Sequence, residues 1–183
     1  MVILGINAFH GDASAALILD GKLVAAVEEE RFNRIKHWAG FPAESIRYCL
    51  ETAGVSAEQV DHVAISFNPR ANFLKRLGFV LAHRPSARAI LDRVKRQGKT
   101  LGLEDQFAAA VGVERSRLRA RFHRIEHHHT HVAAGFLVSP FDEAAVLSVD
   151  GMGDFTSVLT AHARGTDWQE ISRVHYPHSL GFL

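Results

Sequence analysis

Residues 4–19 read LGINAFHGDASAALIL and residues 147–161 read LSVDGMGDFTSVLTA. Each stretch begins as a short apolar strand that ends on a polar side chain, Asn7 in one and Asp150 in the other. A seven-residue turn follows, holding glycine, an acidic residue and a small hydroxyl, and a second apolar strand returns. A third strand completes each set. Leu23–Val27 follows the Asp20-Gly21 dipeptide, a strong hairpin signal, and Trp168–Val174 follows Gly165-Thr166-Asp167. Two matching strand trios about 140 residues apart imply two similar half-domains. Their turns are placed to hold the phosphates of a nucleotide through backbone N–H groups and a metal. The expected fold class is therefore α/β and duplicated. The second copy shows no following helix or fourth strand before Leu183, so the chain is expected to be a fragment whose second half is incomplete.

Between the trios, Glu126-His127-His128-His129-Thr130-His131 places four histidines in five positions, followed by the apolar run VAAGFLV. On a helix over 127–138, His127 and His131 stand four apart on one face, a chelating geometry for zinc, ferrous iron or another divalent ion. No glutamate follows His127, which argues against the HExxH protease type.

The rest of the chain reads as follows. Glu28–His37 leaves the third strand as a charged stretch, in which Arg31, Arg34, Lys36 and His37 offer cationic donors to an anionic substrate or nucleotide. Pro42 and Gly54 bracket a helix with Ile46, Cys49, Leu50 and Ala53 on one face, so Cys49 is read as a core residue. His62–Ser66 is a fourth strand. Residues 70–124 carry 14 of the 21 Lys and Arg but 4 of the 20 Asp and Glu. This basic helical segment, 70–120, predicts helices near Phe73–Leu81, Ala89–Val94 and Phe107–Val111, and a charged helical piece over Arg115–Arg121. Phe122–Glu126 is read as a strand. The domain organisation expected is a first half-domain over 1–140, with that basic segment and the histidine helix, and the start of a second over 141–183.

Composition limits the function classes. The chain has 183 residues, a net charge of +1 and one cysteine, which excludes an internal disulfide framework and fits a reducing, cytoplasmic setting. No stretch reaches the roughly 18 apolar residues of a membrane span, and no signal peptide opens the chain. The basic segment lacks interleaved aromatics, so nucleic acid is not the favoured partner.

Taken together, GINAFHGDASAAL with EEERFNRIKH, EHHHTHVAAGF, SPFDEAAVLSVDGMGDFTS and HYPHSLGFL resemble the N-terminal region of the O-carbamoyltransferase family, which modifies antibiotics and nodulation factors. The resemblance implies the duplicated fold of actin, sugar kinases and heat-shock ATPases. It implies transfer of a carbamoyl group from carbamoyl phosphate, through ATP-derived carbamoyladenylate, to a hydroxyl of a small molecule or sugar. A C-terminal domain outside this chain would make the adenylate, with Mg accompanying ATP. It further implies Fe(II) on His127 and His131, with a third protein ligand, an aspartate, far downstream of Leu183. Asn7, Asp150, Gly151 and Gly153 would meet phosphate or adenylate, as would the cations Arg31, Arg34 and Lys36. His10 is the candidate base for the acceptor hydroxyl, because imidazole ordinarily titrates near neutrality, and Asp12 is close enough in sequence to orient it. His128 is expected to contact the site without ligating, and His129 stands where the family usually has an apolar residue. The competing readings are a relative of the tRNA threonylcarbamoyl transferases, which share the HxxxH pattern, and a non-catalytic metal- or nucleotide-binding module.

Overall fold

A computed structural model of the chain describes residues 1–83 and 102–181. Two compact units divide these residues: unit 1 takes those within Met1–Ser66 and Ala87–Arg124, unit 2 those within Phe67–Ser86 and Ile125–Leu183. The histidine helix thus groups with the second strand trio, on the other side of the boundary expected at residue 140.

In unit 1, β1 (Val2–Asn7), β2 (Ser14–Leu19) and β3 (Lys22–Glu28) form an antiparallel meander. The β2–β3 hairpin turns through Asp20 and Gly21, both at positive φ (49° and 79°), as the Asp-Gly dipeptide predicts. Two parallel strands, β4 (His62–Ile65) and β5 (Arg121–Arg124), extend the sheet to the order β3-β2-β1-β4-β5. A short helix α1 (Glu30–Asn33) precedes α2 (Ala43–Ala53), and α4 (Leu103–Val111) packs beside α2; α3 (Phe73–His83) belongs to unit 2. The alternating residues Leu4, Ile6, Leu17, Val63 and Ile65 meet Ile46, Cys49, Leu50, Leu103 and Phe107 in one core. Cys49 lies in that core as expected; burial pushes its thiol pKa up, and the thiol donates to the Ala15 carbonyl at 3.5 Å.

Two local expectations are revised. Glu29, inside the charged stretch after β3, is buried: its carboxylate accepts from Ser45 N (2.8 Å), Ser45 Oγ (2.8 Å) and Glu44 N (3.2 Å), capping α2 where Pro42 offers no side-chain acceptor. Arg115–Arg121 does not form a helix. Only Arg115–Arg117 makes a 3₁₀ turn, and Arg115, Arg117 and Arg119 reach Asp105, Glu58 and Asp61 instead.

In unit 2, β6 (Glu143–Gly153), β7 (Thr156–Arg164) and β8 (Asp167–His175) form the second antiparallel meander, in the order β6-β7-β8. It repeats the β1-β2-β3 layout, and among the described residues it has no counterpart of β4 and β5. The expected turn over Asp150–Asp154 lies further along. β6 continues irregularly to Gly153, and the reversal occurs at Asp154 and Phe155, both at positive φ (48° and 72°). Helices α3 (Phe73–His83) and α5 (His127–Phe136) complete the unit. The helix expected over Ala89–Val94 lies outside the described residues. No helix among the described residues is long and apolar enough to cross a membrane.

Candidate metal centre

Helix α5 presents two different histidine faces. His128, Val132 and Phe136, four apart, form its buried stripe, with Val132 packing against Leu159 and Ala161 of β7. His128 belongs to this core: its Nδ1 accepts from Ser148 Oγ (2.8 Å) and its Nε2 donates to the Thr156 carbonyl (3.0 Å). Burial pushes its pKa down, which keeps the ring neutral. One residue earlier on each turn, His127 and His131 flank the stripe and lean toward the end of β6.

There the two rings meet edge to face, with centroids 4.6 Å apart and Nε2 atoms separated by 3.0 Å. Asp150 Oδ2 lies 2.9 Å from His127 Nε2. One donor atom from each of His127, His131 and Asp150 falls within 4.8 Å of the others, the one such group of three among the described residues. Metal–ligand bonds of about 2.1 Å at right angles put neighbouring donors about 3.0 Å apart. The separations of 2.9 and 3.0 Å fit that spacing, and two imidazoles with one carboxylate suit a borderline divalent ion. Burial, aided by the neighbouring His127, lowers the His131 pKa. Burial alone would raise that of Asp150, but the Gly151 N–H, His127 and His131 together bring it below the usual carboxylate range. Both shifts favour the protonation states that ligate metal.

The surrounding turns hold these groups in place. Gly151 N donates to Asp150 Oδ1 (2.6 Å), and Ser179 Oγ donates to the carbonyls of Asp150 (3.2 Å) and Gly151 (2.8 Å). A Cβ on Gly153 would lie 2.0 Å from Cδ2 and 2.2 Å from Cγ of His127, so this glycine makes room for the imidazole. At the start of α5, Glu126 accepts from His129 N (3.0 Å) and Asp154 Oδ2 from His127 N (3.0 Å), satisfying two of the free helix N–H groups. His129 turns outward to Glu170 (2.7 Å), beside Arg173, which also reaches Glu126 (3.1 Å).

Of the residues singled out in the sequence, unit 2 brings together His127, His131 and Asp150, so that Asp150, read in the sequence as a phosphate-turn residue, offers a carboxylate donor beside the two histidines. The missed signal is its position: Asp150 ends the first strand of the second trio, beside which α5 packs. The remaining candidates lie in unit 1. Asn7 braces its own turn, donating to the carbonyls of Gly11 (3.4 Å) and Asp12 (3.1 Å) and accepting from Ser66 Oγ (3.1 Å). Asp12 Oδ1 engages His37 Nδ1 at 2.9 Å. His10 is half-buried, and Arg31, Arg34 and Lys36 are exposed.

Residues 2–183 match a sequence model of a family described as Carbamoyltransferase N-terminus. An uncharacterised protein of Synechocystis sp. is 39% identical over 188 residues, covering 99% of this chain and 30% of that protein. The nodulation protein NolNO of Sinorhizobium fredii is 36% identical over 177 residues, covering 97% of this chain and 25% of that protein. The chain thus spans less than a third of the length of these two relatives. Among solved structures, YeaZ from Pseudomonas aeruginosa superposes with a TM-score of 0.52 at 13% identity, covering 96% of this chain and 67% of that one. That likeness shows the fold, the α/β architecture of the actin and heat-shock ATPase type.

Proposed function

We propose a function from one premise: this chain belongs to the carbamoyltransferase family, through the family's N-terminal region. Its role is to receive an activated carbamoyl group and pass it to a hydroxyl of a small molecule or sugar. The group originates in carbamoyl phosphate and arrives as carbamoyladenylate, made with ATP and Mg by a domain elsewhere in the complete protein. The observation that carries this reading is the convergence of His127, His131 and Asp150 on one point at the end of β6.

His127, His131 and Asp150 would hold Fe(II) or another divalent ion there, which would supply Lewis-acid polarisation of an oxygen on the carbamoyl donor. The Nε2 atoms of His127 and His131, 3.0 Å apart, would be its nitrogen donors, and Asp150 would add a negative charge that offsets the ion's own. Arg31, Arg34 and Lys36 offer charge-assisted hydrogen bonds to phosphate groups of the donor. His10 accepts the proton of the acceptor hydroxyl as the new C–O bond forms, leaving AMP as the second product. The reaction belongs in the cytoplasm, where ATP and a reduced ferrous ion are both available.

The test supplies the complete polypeptide with carbamoyl phosphate, ATP, Mg and Fe(II), and follows label from carbamoyl phosphate into a panel of hydroxyl acceptors. Acceptor-dependent incorporation that His127→Ala abolishes is the expected result. A His127→Ala protein that transfers at the wild-type rate would overturn the reading.

A further inference from the structure

One carboxylate beside the metal centre has no part in binding the ion and is nonetheless fully buried. The Asp154 side chain has 0% exposure, and Asn68, Asn72, Arg76 and His127, which bond to this residue, all belong to unit 2. Its Oδ2 accepts from His127 N at 3.0 Å and from Asn68 N at 2.8 Å, and its Oδ1 from Arg76 Nη2 at 3.3 Å. Its backbone carbonyl accepts from Asn72 Nδ2 at 2.9 Å, and that amide also reaches Thr156 Oγ1 at 3.2 Å. Asn68 and Asn72 lie in the turn that leads into α3, and Arg76 in the first turn of that helix, so the start of α3 and the chain before it converge on one residue.

The conformation of the turn adds to this. Asp154 and the bulky Phe155 both hold positive φ, which costs free energy unless surrounding contacts over-determine it. Those contacts are the bonds from Arg76 of α3 and from Asn68 and Asn72 before it, and the packing of Phe155 against Phe79 of α3, with ring centroids 5.6 Å apart. The preceding residue, Gly153, lies against the His127 ring. The Gly153–Asp154 pair therefore contacts the metal ligand twice, on its backbone N–H and on its imidazole.

We infer that Asp154 is a positioning residue that ties α3 to the metal ligand His127, so that seating of α3 sets the geometry of the metal centre. This rests on the reading of His127, His131 and Asp150 as metal ligands. It gives the start of the basic segment a task other than nucleic-acid binding: Asn68, Asn72 and Arg76 hold the turn from which His127 is aimed. Supporting groups of this kind around a metal site typically alter affinity about 10- to 100-fold when removed.

The probe is Co(II), whose visible absorption reports coordination geometry, titrated into the chain with wild type and His127→Ala as references. Asp154→Asn is expected to weaken Co(II) binding about 10- to 100-fold and to shift the spectrum of the bound ion. Arg76→Gln and Asn72→Ala, which leave the carboxylate in place, are expected to weaken it several-fold, with Arg76→Lys closer to wild type. A merely structural role would lower the melting temperature of the metal-free protein and leave the Co(II) spectrum unchanged. Wild-type affinity and spectrum in Asp154→Asn would overturn the inference alone, whereas a wild type that binds no Co(II) would overturn the metal reading itself. Should Asp154→Asn fail to fold, Arg76→Gln and Asn72→Ala decide: wild-type affinity and spectrum in both overturns the inference.

Discussion

Replacing Gly153 by alanine adds a single carbon, and the structure says where it would go. The new Cβ would lie 2.0 Å from His127 Cδ2, whereas carbon atoms pack at about 3.5 Å or more. The ring and the turn must separate by about 1.5 Å to relieve the overlap. His127 Nε2 stands 2.9 Å from Asp150 and 3.0 Å from His131, and metal sites hold their ligands to within about 0.2 Å. A displacement several times that tolerance removes His127 from the ligand set. Backbone strain contributes nothing, because Gly153 is absent from the positive-φ residues. We predict that Gly153→Ala weakens Zn(II) or Co(II) binding by at least about 100-fold, the loss of a direct ligand exceeding that of a supporting group. Overpacking should lower stability by about 1–3 kcal/mol. Calorimetric titration with Zn(II) and thermal unfolding without metal measure the two effects separately. Wild-type metal affinity in Gly153→Ala would refute the steric reasoning.

Gly135, within α5 but with nothing near its would-be Cβ, is the matched control: Gly135→Ala should stabilise the protein by up to about 1 kcal/mol in thermal melts and leave metal affinity unchanged. His128→Leu should cost about 2–4 kcal/mol in denaturant unfolding, because Ser148 and the Thr156 carbonyl lose their buried partner. Acid sensitivity follows from His128 and His131, whose folded pKa values lie below the ordinary imidazole value. Their contribution to stability is complete above about pH 6.5 and is lost as pH falls from there toward the folded values, while the lowered Asp150 pKa delays its own loss further into acid. Melting temperature measured from neutral pH down to about pH 5 should therefore fall, and fall less steeply in His128→Leu; a flat profile would contradict the assignment. Metal at about 100 times its Kd should add about 2.7 kcal/mol to wild-type stability and nothing to His131→Ala, read as a shift in Tm.

Much of unit 1 was legible because its signals are local. Asp20-Gly21 sets the hairpin by backbone conformation, and Pro42 with Gly54 brackets α2 by the same kind of rule. The repeat of strand trios was legible because strand patterning survives in Leu4-Gly5-Ile6 and Leu147-Ser148-Val149. Long-range pairing was not. Asp150 reads as a phosphate-turn residue in sequence, and only the packing of α5 beside β6 places it next to His127. The partnership of Asp12 with His37 spans 25 residues and depends on Ala13 N bonding to Trp38 O at 2.9 Å. The arginines of Arg115–Arg121 read as a helix by composition, yet after the turn at Arg115–Arg117 the segment runs extended into β5, where Arg121 pairs with His62 of β4, a long-range partner that composition does not reveal. Gly153 and Gly151 look alike in sequence, and only the position of the His127 ring gives Gly153 its steric role.

Anomalous diffraction at the iron edge from anaerobic crystals loaded with Fe(II) addresses the metal centre most directly. The account predicts one strong peak about 2.0–2.2 Å from Nε2 of His127, Nε2 of His131 and a carboxylate oxygen of Asp150. A peak elsewhere, such as at the paired His62 and His123 rings on β4 and β5, or no peak at all, would contradict it.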